Sequence, residues 1–402
     1  MTDSPYTPGE SPPPVLSGRG VHLARIRSHL ARVVDTGEMA GAPLVFIAPR
    51  GIGKTSLLRV AEQQAQAQGL VTVWVACVRG AGFLADLDAE LAARLAALDY
   101  APSTTRISAY QVEVGVGVAK AGIAVEREQS QGPQGLVHAV ERALAEAGRT
   151  VREHGGAGVA VFLDELHAPD LRDTAVLLNA VQNLAARGTG RPASPVAVVA
   201  AGLPSTPAQL TRAATFGERS TFVALDRLDE ADSLRALIDP AIRVGVHWTA
   251  DAARVVGQAA RGFPYFVQLL GKTSWEAAQP EHGDVITIDH VRAGAGVANT
   301  QVSAMFGARW DAATDAERDF MEAMAAIGDG DVQRSQIAAA LGRTTRQISV
   351  PRARLIDRGI IEPTGHGLVR FTLPGFAAYV RALGGQEPWQ PLELPGHQRE
   401  TW

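Results

Sequence analysis

An α/β fold is predicted for this 402-residue chain: a parallel sheet with helices on both faces, then a small α-helical lid and a C-terminal winged helix-turn-helix domain. Three observations predict it. First, five short segments, 43–47, 71–77, 159–163, 196–200 and 221–225, are almost continuously apolar rather than alternating. Strands buried on both faces read that way. Second, stretches with helical apolar spacing, such as 58–67 and 136–152, separate these runs. Third, the chain from 312 onward carries helix caps and stops in close succession, followed by two short strand patterns.

The elements follow in order. Residues 1–15 hold Pro5, Pro8, Pro12, Pro13 and Pro14 among small polar residues, a composition that predicts a disordered leader. The α/β domain spans 16–240. It opens with a helix on which Leu23, Ile26, Leu30 and Val33 share a face. Between the second and third strands, alternation at Val112, Val114, Val116, Ile123 and Val125 with interspersed glycines predicts an inserted β-hairpin at about 107–128. The lid, 241–311, begins after Pro240 and carries helical patterns at 250–260 and 265–278. In the last domain, 312–383, Thr314-Asp315-Ala316-Glu317 is a capping box for a helix that runs to Ile327 and stops at Gly328. Helices at 334–341 and 345–358 follow, the second kinked by Pro351. A two-stranded wing then turns through Gly365-His366-Gly367. Residues 384–402 read as a tail.

Composition excludes several classes. A net charge of −4 rules out a polycation, so any polyanion surface must be local. The single cysteine, Cys77, sits in an apolar run and reads as core, leaving neither a disulfide framework nor a thiol zinc site. No apolar stretch approaches the roughly 20 residues of a membrane span, and the expected setting is cytoplasmic, without membrane contact. His154, His167, His282, His290 and His366 have no metal-ligand spacing and read as structural or exposed.

Two motifs carry chemistry. The first apolar run passes through Ala48-Pro49-Arg50-Gly51-Ile52-Gly53-Lys54-Thr55-Ser56 straight into a helix, which is a P-loop in all but its first position, where Ala48 stands for glycine. Glycines let backbone N–H groups curl around a phosphate, Lys54 reaches the β and γ phosphates, and the Thr55 hydroxyl holds Mg²⁺. Residues Arg50 to Ser56 are therefore the candidate binding loop for ATP or ADP, placed at a helix N-terminus whose dipole favours anions. The second motif is the acidic pair after the third strand. Asp164 is the candidate Mg²⁺ ligand alongside Thr55, and Glu165 the candidate base that deprotonates the attacking water.

With both motifs, the chain resembles the AAA+ and STAND P-loop NTPases, specifically the origin-recognition-like group, over roughly residues 16–383. The resemblance implies an adenine-side role for Gly18 and Arg19, and it matches Gly262-Phe263-Pro264 to the G-x-P motif, whose proline, Pro264, lies against adenine. It implies that Arg219 acts as an arginine finger on a neighbouring subunit of a homo-oligomer, or else is a solvated surface arginine. Two departures stand out. Ala201-Gly202 offers no side chain to sense the γ-phosphate at the tip of the fourth strand, and Tyr265 and Phe266 stand where the group often places a lid arginine. Charge-stabilising arginines supply on the order of 10³ to 10⁵ in phosphoryl-transfer rate. A slow or partner-stimulated ATPase, acting as a nucleotide-dependent switch, is the expectation.

The winged domain concentrates Arg343, Arg346, Arg352, Arg354 and Arg358 in and before its third helix, with Arg334 nearby and Arg370 on the wing. This is the footprint of a double-stranded DNA surface. The other reading is a STAND-like signalling switch whose winged helix binds a partner protein or packs internally, with no DNA contact.

Overall fold

The computed structural model describes residues 3–10, 12–100, 107, 133–186, 193–385, 392 and 394. The hairpin expected at 107–128 lies outside the described residues except for Ile107. The chain divides into two compact units, one built from 20–48 and 57–225, the other from 1–19, 49–56 and 226–402.

The first unit holds a five-stranded sheet. Along the chain come α1 (Gly20–Thr36), β1 (Leu44–Ile47), α2 (Lys54–Ala67), β2 (Leu70–Ala76), α3 (Leu84–Ala96), α4 (Pro133–Glu153), β3 (Gly158–Asp164), α5 (Leu171–Ala185), β4 (Val196–Gly202), α6 (Thr206–Ala213), a 3₁₀ turn (Thr215–Arg219) and β5 (Thr221–Ala224). The strands are parallel and lie in the order β2-β3-β4-β1-β5. Every residue of β3 and β4 is buried, so both faces of the central strands are covered, and that is why their sequences are uninterrupted Val, Ala, Phe and Leu. A remote carboxylate stabilises one helix start. Asp173 of α5 accepts the backbone N–H groups of Phe83 and Leu84 at 2.8 and 3.1 Å, satisfying donors at the N-terminus of α3 that have no partner within the helix.

The second unit contains a helical lid and a C-terminal helical domain. The lid comprises α7 (Glu230–Arg243), β6 (His247–Trp248), α8 (Ala250–Ala260), α9 (Pro264–Ala278), β7 (Val285–Ile286) and α10 (Ile288–Asp311). Pro240 falls inside α7. Proline removes the bond that its N–H would give to the carbonyl four residues back, at Ala236. The Gln268 side-chain amide of α9 donates to that carbonyl instead, at 3.4 Å, so the helix continues past its proline.

The leader is corrected as well. Tyr6 is 1% exposed, its hydroxyl donates to the Leu237 carbonyl at 2.5 Å and accepts from Trp248 Nε1 at 2.9 Å, and its ring stands edge-on to Trp248 and Trp275. One aromatic residue in a Pro-rich segment thus pins the N-terminus into the lid, and burial raises its hydroxyl pKa. Tyr6→Phe removes both polar contacts and strands a buried carbonyl and an indole N–H, so it should cost about 1–3 kcal/mol. Chemical denaturation reads this as a lowered midpoint at unchanged slope.

The C-terminal domain runs α11 (Asp315–Ile327), β8 (Val332–Gln333), α12 (Arg334–Ala340), α13 (Ser349–Asp357), β9 (Ile361–Gly365), β10 (Leu368–Phe371) and α14 (Phe376–Leu383), with a small antiparallel sheet in the order β8-β10-β9. The capping box at Thr314 and Glu317 forms, with the Thr314 N–H donating to Glu317 Oε2 at 2.8 Å. The third helix starts at Ser349, not 345, and this resolves the difficulty at Pro351. In the first turn its missing N–H has no helical acceptor to lose, so no kink arises.

Candidate phosphate-binding loop and acidic strand tip

In the sheet unit, the tips of β1 and β3 are both tied to the tip of β4. Val45 and Leu163 each pair with Ala200, the Ala48 N–H donates to the Gly202 carbonyl at 3.2 Å, and the Leu166 N–H donates to the Ala201 carbonyl at 2.8 Å. The residue that leads into the loop and the residue that follows the acidic pair are therefore level at the C-terminal edge of one sheet. Ligands of open α/β sheets bind at this edge.

The loop takes the shape its composition predicts. Gly51 and Gly53 have φ of +84° and +91°, a region open to glycine and strained for other residues. At Gly51 the space is also closed, because a Cβ there would come within 2.5 Å of the Phe263 ring. Lys54 begins α2, is 5% exposed, and donates from Nζ to the Pro49 carbonyl at 3.0 Å, folding across its own loop. Ile52 is buried, while Arg50 and Thr55 are exposed and Ser56 is half-buried.

Two groups of the second unit brace this loop. The Tyr265 N–H donates to the Gly51 carbonyl at 3.3 Å, and Phe263 packs on Gly51, so the Gly262-Phe263-Pro264 segment seats on the phosphate loop, with Pro264 as the first residue of α9. Arg19 is 4% exposed, and its Nη2 donates to the Ile52 carbonyl at 3.1 Å and the Asp226 carbonyl at 2.8 Å. Burial lowers its pKa, opposed by the charges of Asp232 and Asp226. Its guanidinium is committed to holding the loop, and Gly18 beside it is pressed against Asp232 and Leu228. Arg309 of α10 senses the loop only through charge: its guanidinium is pushed down to about 10 by burial and then by the Arg50 charge. Two cations near one phosphate loop raise the local positive potential in which an anion would sit.

At the strand tip, Asp164 is buried and its Oδ1 accepts the Glu165 N–H at 2.9 Å, while its carbonyl accepts the Cys77 N–H at 2.9 Å. Cys77 is buried as expected, and burial, then the nearby Asp164 and Glu165 charges, push its thiol up to about 12. Glu165 is half-exposed and lies 3.4 Å from the Nε2 of His167. Spacing alone left His167 as one histidine among several. No side-chain donor stands at Ala201-Gly202, in keeping with the sequence. Arg219 is exposed in the 3₁₀ turn before β5, its guanidinium 6.0 Å from the Phe216 ring centre.

The arginines of the C-terminal domain divide into two sets. Arg343 pairs with Asp319 at 3.1 Å, Arg358 with Glu317 at 3.0 Å, and Arg370 with Glu362 at 2.8 Å and Asp331 at 3.9 Å. Arg346 and Arg354 are exposed, and Arg352 is half-buried with its pKa lowered by burial and by the Arg334 charge.

This sheet order, with a Gly-x-Gly-Lys-Thr loop after β1 and an acidic pair after β3, defines a P-loop NTPase. Residues 15–199 match the AAA ATPase domain family, and 303–380 match a domain of unknown function (DUF8462). The chain resembles the Walker-type ATPase PABY2304 of Pyrococcus abyssi at 13% identity and TM-score 0.56, covering 91% of this chain and 96% of that one. It resembles the ORC2 protein of Aeropyrum pernix, solved as ADPNP–ADP complexes, at 13% identity and TM-score 0.56, covering 95% and 98%. An ADP form of that protein gives a TM-score of 0.52 at 14% identity, covering 94% and 96%. No curated protein matches by sequence. Residues 15–199 are thus similar to an AAA ATPase domain on a P-loop NTPase fold, and the fold as a whole is similar to that of the ORC2 protein. Among the described residues, no helix is long and apolar enough to cross a membrane.

Proposed function

We propose that this chain is an AAA+ ATPase acting as a nucleotide-dependent switch with slow intrinsic hydrolysis, coupled to double-stranded DNA through its C-terminal domain, which we read as a winged helix. The observation that carries the nucleotide part is the loop itself: two glycines at positive φ, followed by Lys54 at the start of α2. Backbone N–H groups from Arg50 to Ser56 and the Lys54 ammonium hold the β and γ phosphates, with Pro264 and the Gly18-Arg19 segment on the adenine side.

Thr55 and Asp164 fit Mg²⁺, since both offer hard oxygen donors and Mg²⁺ is commonly held by one or two carboxylates plus phosphate oxygens. Bound there, Mg²⁺ would offset charge developing on the phosphates. Glu165 accepts the proton of the attacking water. Arg219 serves a neighbouring subunit's nucleotide, which makes turnover depend on protein concentration. The absence of a polar side chain at Ala201-Gly202 and of an arginine at Tyr265 or Phe266 supports slow hydrolysis.

DNA coupling is tested by mobility shift. Arg346→Ala and Arg352→Ala should each weaken duplex binding with a shallower salt dependence. Absence of any shift by the wild type at low salt would remove the DNA part of this reading. A second reading has its own support. Arg343, Arg358 and Arg370 are held in ion pairs, and Arg227, ahead of α7, has its pKa lowered by burial and then by the Arg370 charge. A wing occupied in this way suits internal packing and a protein-binding output.

A further inference from the structure

The turn that ends β3 does more than terminate a strand. Glu165 has φ of +55°, in the left-handed region, where a residue with a side chain is disfavoured by about 1–2 kcal/mol. Three backbone bonds hold the turn there. The Ala168 N–H donates to the Glu165 carbonyl at 2.8 Å, the Leu166 N–H to Ala201 of β4 at 2.8 Å, and the Gly80 N–H to the Ala168 carbonyl at 2.9 Å. The chain doubles back within four residues, and His167 Nε2 comes to lie 3.4 Å from Glu165 Oε2.

Burial gives the pair a direction. The His167 side chain is 1% exposed, while that of Glu165 is 28% exposed. One carboxylate oxygen therefore lies 3.4 Å from a ring embedded in the protein, and the group as a whole still meets solvent. Burying an imidazole costs free energy unless a polar group engages it, and an apolar side chain would fill the same space without that cost. A strained residue and a buried polar residue meeting at one carboxylate is a costly arrangement for a plain strand end.

We infer that His167 is a positioning residue for Glu165: its Nε2–H holds Oε2, fixing the carboxylate so that the other oxygen is presented to the attacking water. The inference rests on the reading of Glu165 as the base. A carboxylate free to rotate spends part of its time misdirected, and misplacement by about 1 Å can cost on the order of 10²-fold in rate. The histidine side chain is buried away from the surface, so its loss should act on turnover and leave affinity alone.

Single-turnover hydrolysis and ATP affinity of the full chain test this, with four variants against the wild type. His167→Ala should lower the rate about 10- to 100-fold with ATP affinity unchanged. His167→Gln, whose amide N–H can reach the same oxygen, should recover most of that loss, which a mere packing defect would not allow. In a Glu165→Gln background, His167→Ala should add nothing. Wild-type rate in His167→Ala, or an equal further loss in the double variant, overturns the inference while leaving Glu165 as base. Unchanged turnover in Glu165→Gln alone instead overturns the base. The contact itself is read without turnover by ¹⁵N-histidine NMR: the His167 Nε2 signal should move on Glu165→Gln, and an unmoved signal overturns the inference.

Discussion

Lys54→Ala should reduce ATP affinity by about 10²-fold, because it deletes the one cationic side chain of the loop motif placed to reach both the β and γ phosphates. The effect should fall on binding rather than folding. The Lys54 ammonium makes a 3.0 Å bond to the carbonyl of Pro49, a part-buried contact within the loop. The loop's shape comes from elsewhere: Gly51 and Gly53 at positive φ, the Tyr265 N–H on the Gly51 carbonyl, and Arg19 on the Ile52 carbonyl. Fluorescent-nucleotide titration of the two proteins checks this, with unchanged thermal melting in the absence of nucleotide as the control. Equal affinities would remove the phosphate-loop reading.

Glu165→Gln should show the opposite pattern, retaining ATP affinity while losing about 10² to 10⁴ in turnover, the range a general base contributes. Glutamine keeps the size of glutamate and an oxygen that can accept from His167, so the turn at Glu165 to Ala168 need not rearrange. What it loses is the basicity needed to take the proton from water. Asp164 does not substitute, since its Oδ1 is engaged by the Glu165 N–H and the residue is buried at the strand tip. Phosphate-release kinetics at saturating ATP measure the loss, and nucleotide titration confirms retained binding.

The parts of this protein that were legible in its sequence are those whose physics is local. A strand buried on both faces must be apolar throughout, so β3 and β4 announce themselves at 159–163 and 196–200, inside the observed Gly158–Asp164 and Val196–Gly202. Positive φ favours glycine, so Gly51 and Gly53 mark the loop. The capping box at Thr314 is likewise a four-residue event.

What escaped is set by residues far apart. Tyr6 is buried because Leu237, Trp248 and Trp275 form its surroundings, and a Pro-rich stretch gives no sign of partners more than 200 positions away. Pro240 lies inside a helix because Gln268 takes up the carbonyl that proline leaves without its helical bond. Phe263 and Tyr265 brace Gly51 through one ring and one backbone N–H, neither of which has a motif. His167 acquires its meaning only from a left-handed turn at Glu165, a conformation that glutamate does not advertise.

The central claim is that this loop and acidic tip hydrolyse ATP slowly, as a switch. The most direct test is phosphate release from Mg-ATP by the wild-type chain, across protein concentration and with or without duplex DNA. The account predicts slow release whose rate per chain rises with concentration, as an arginine supplied in trans by Arg219 requires, and rises again with DNA. ATP binding without release under any of these conditions would contradict it.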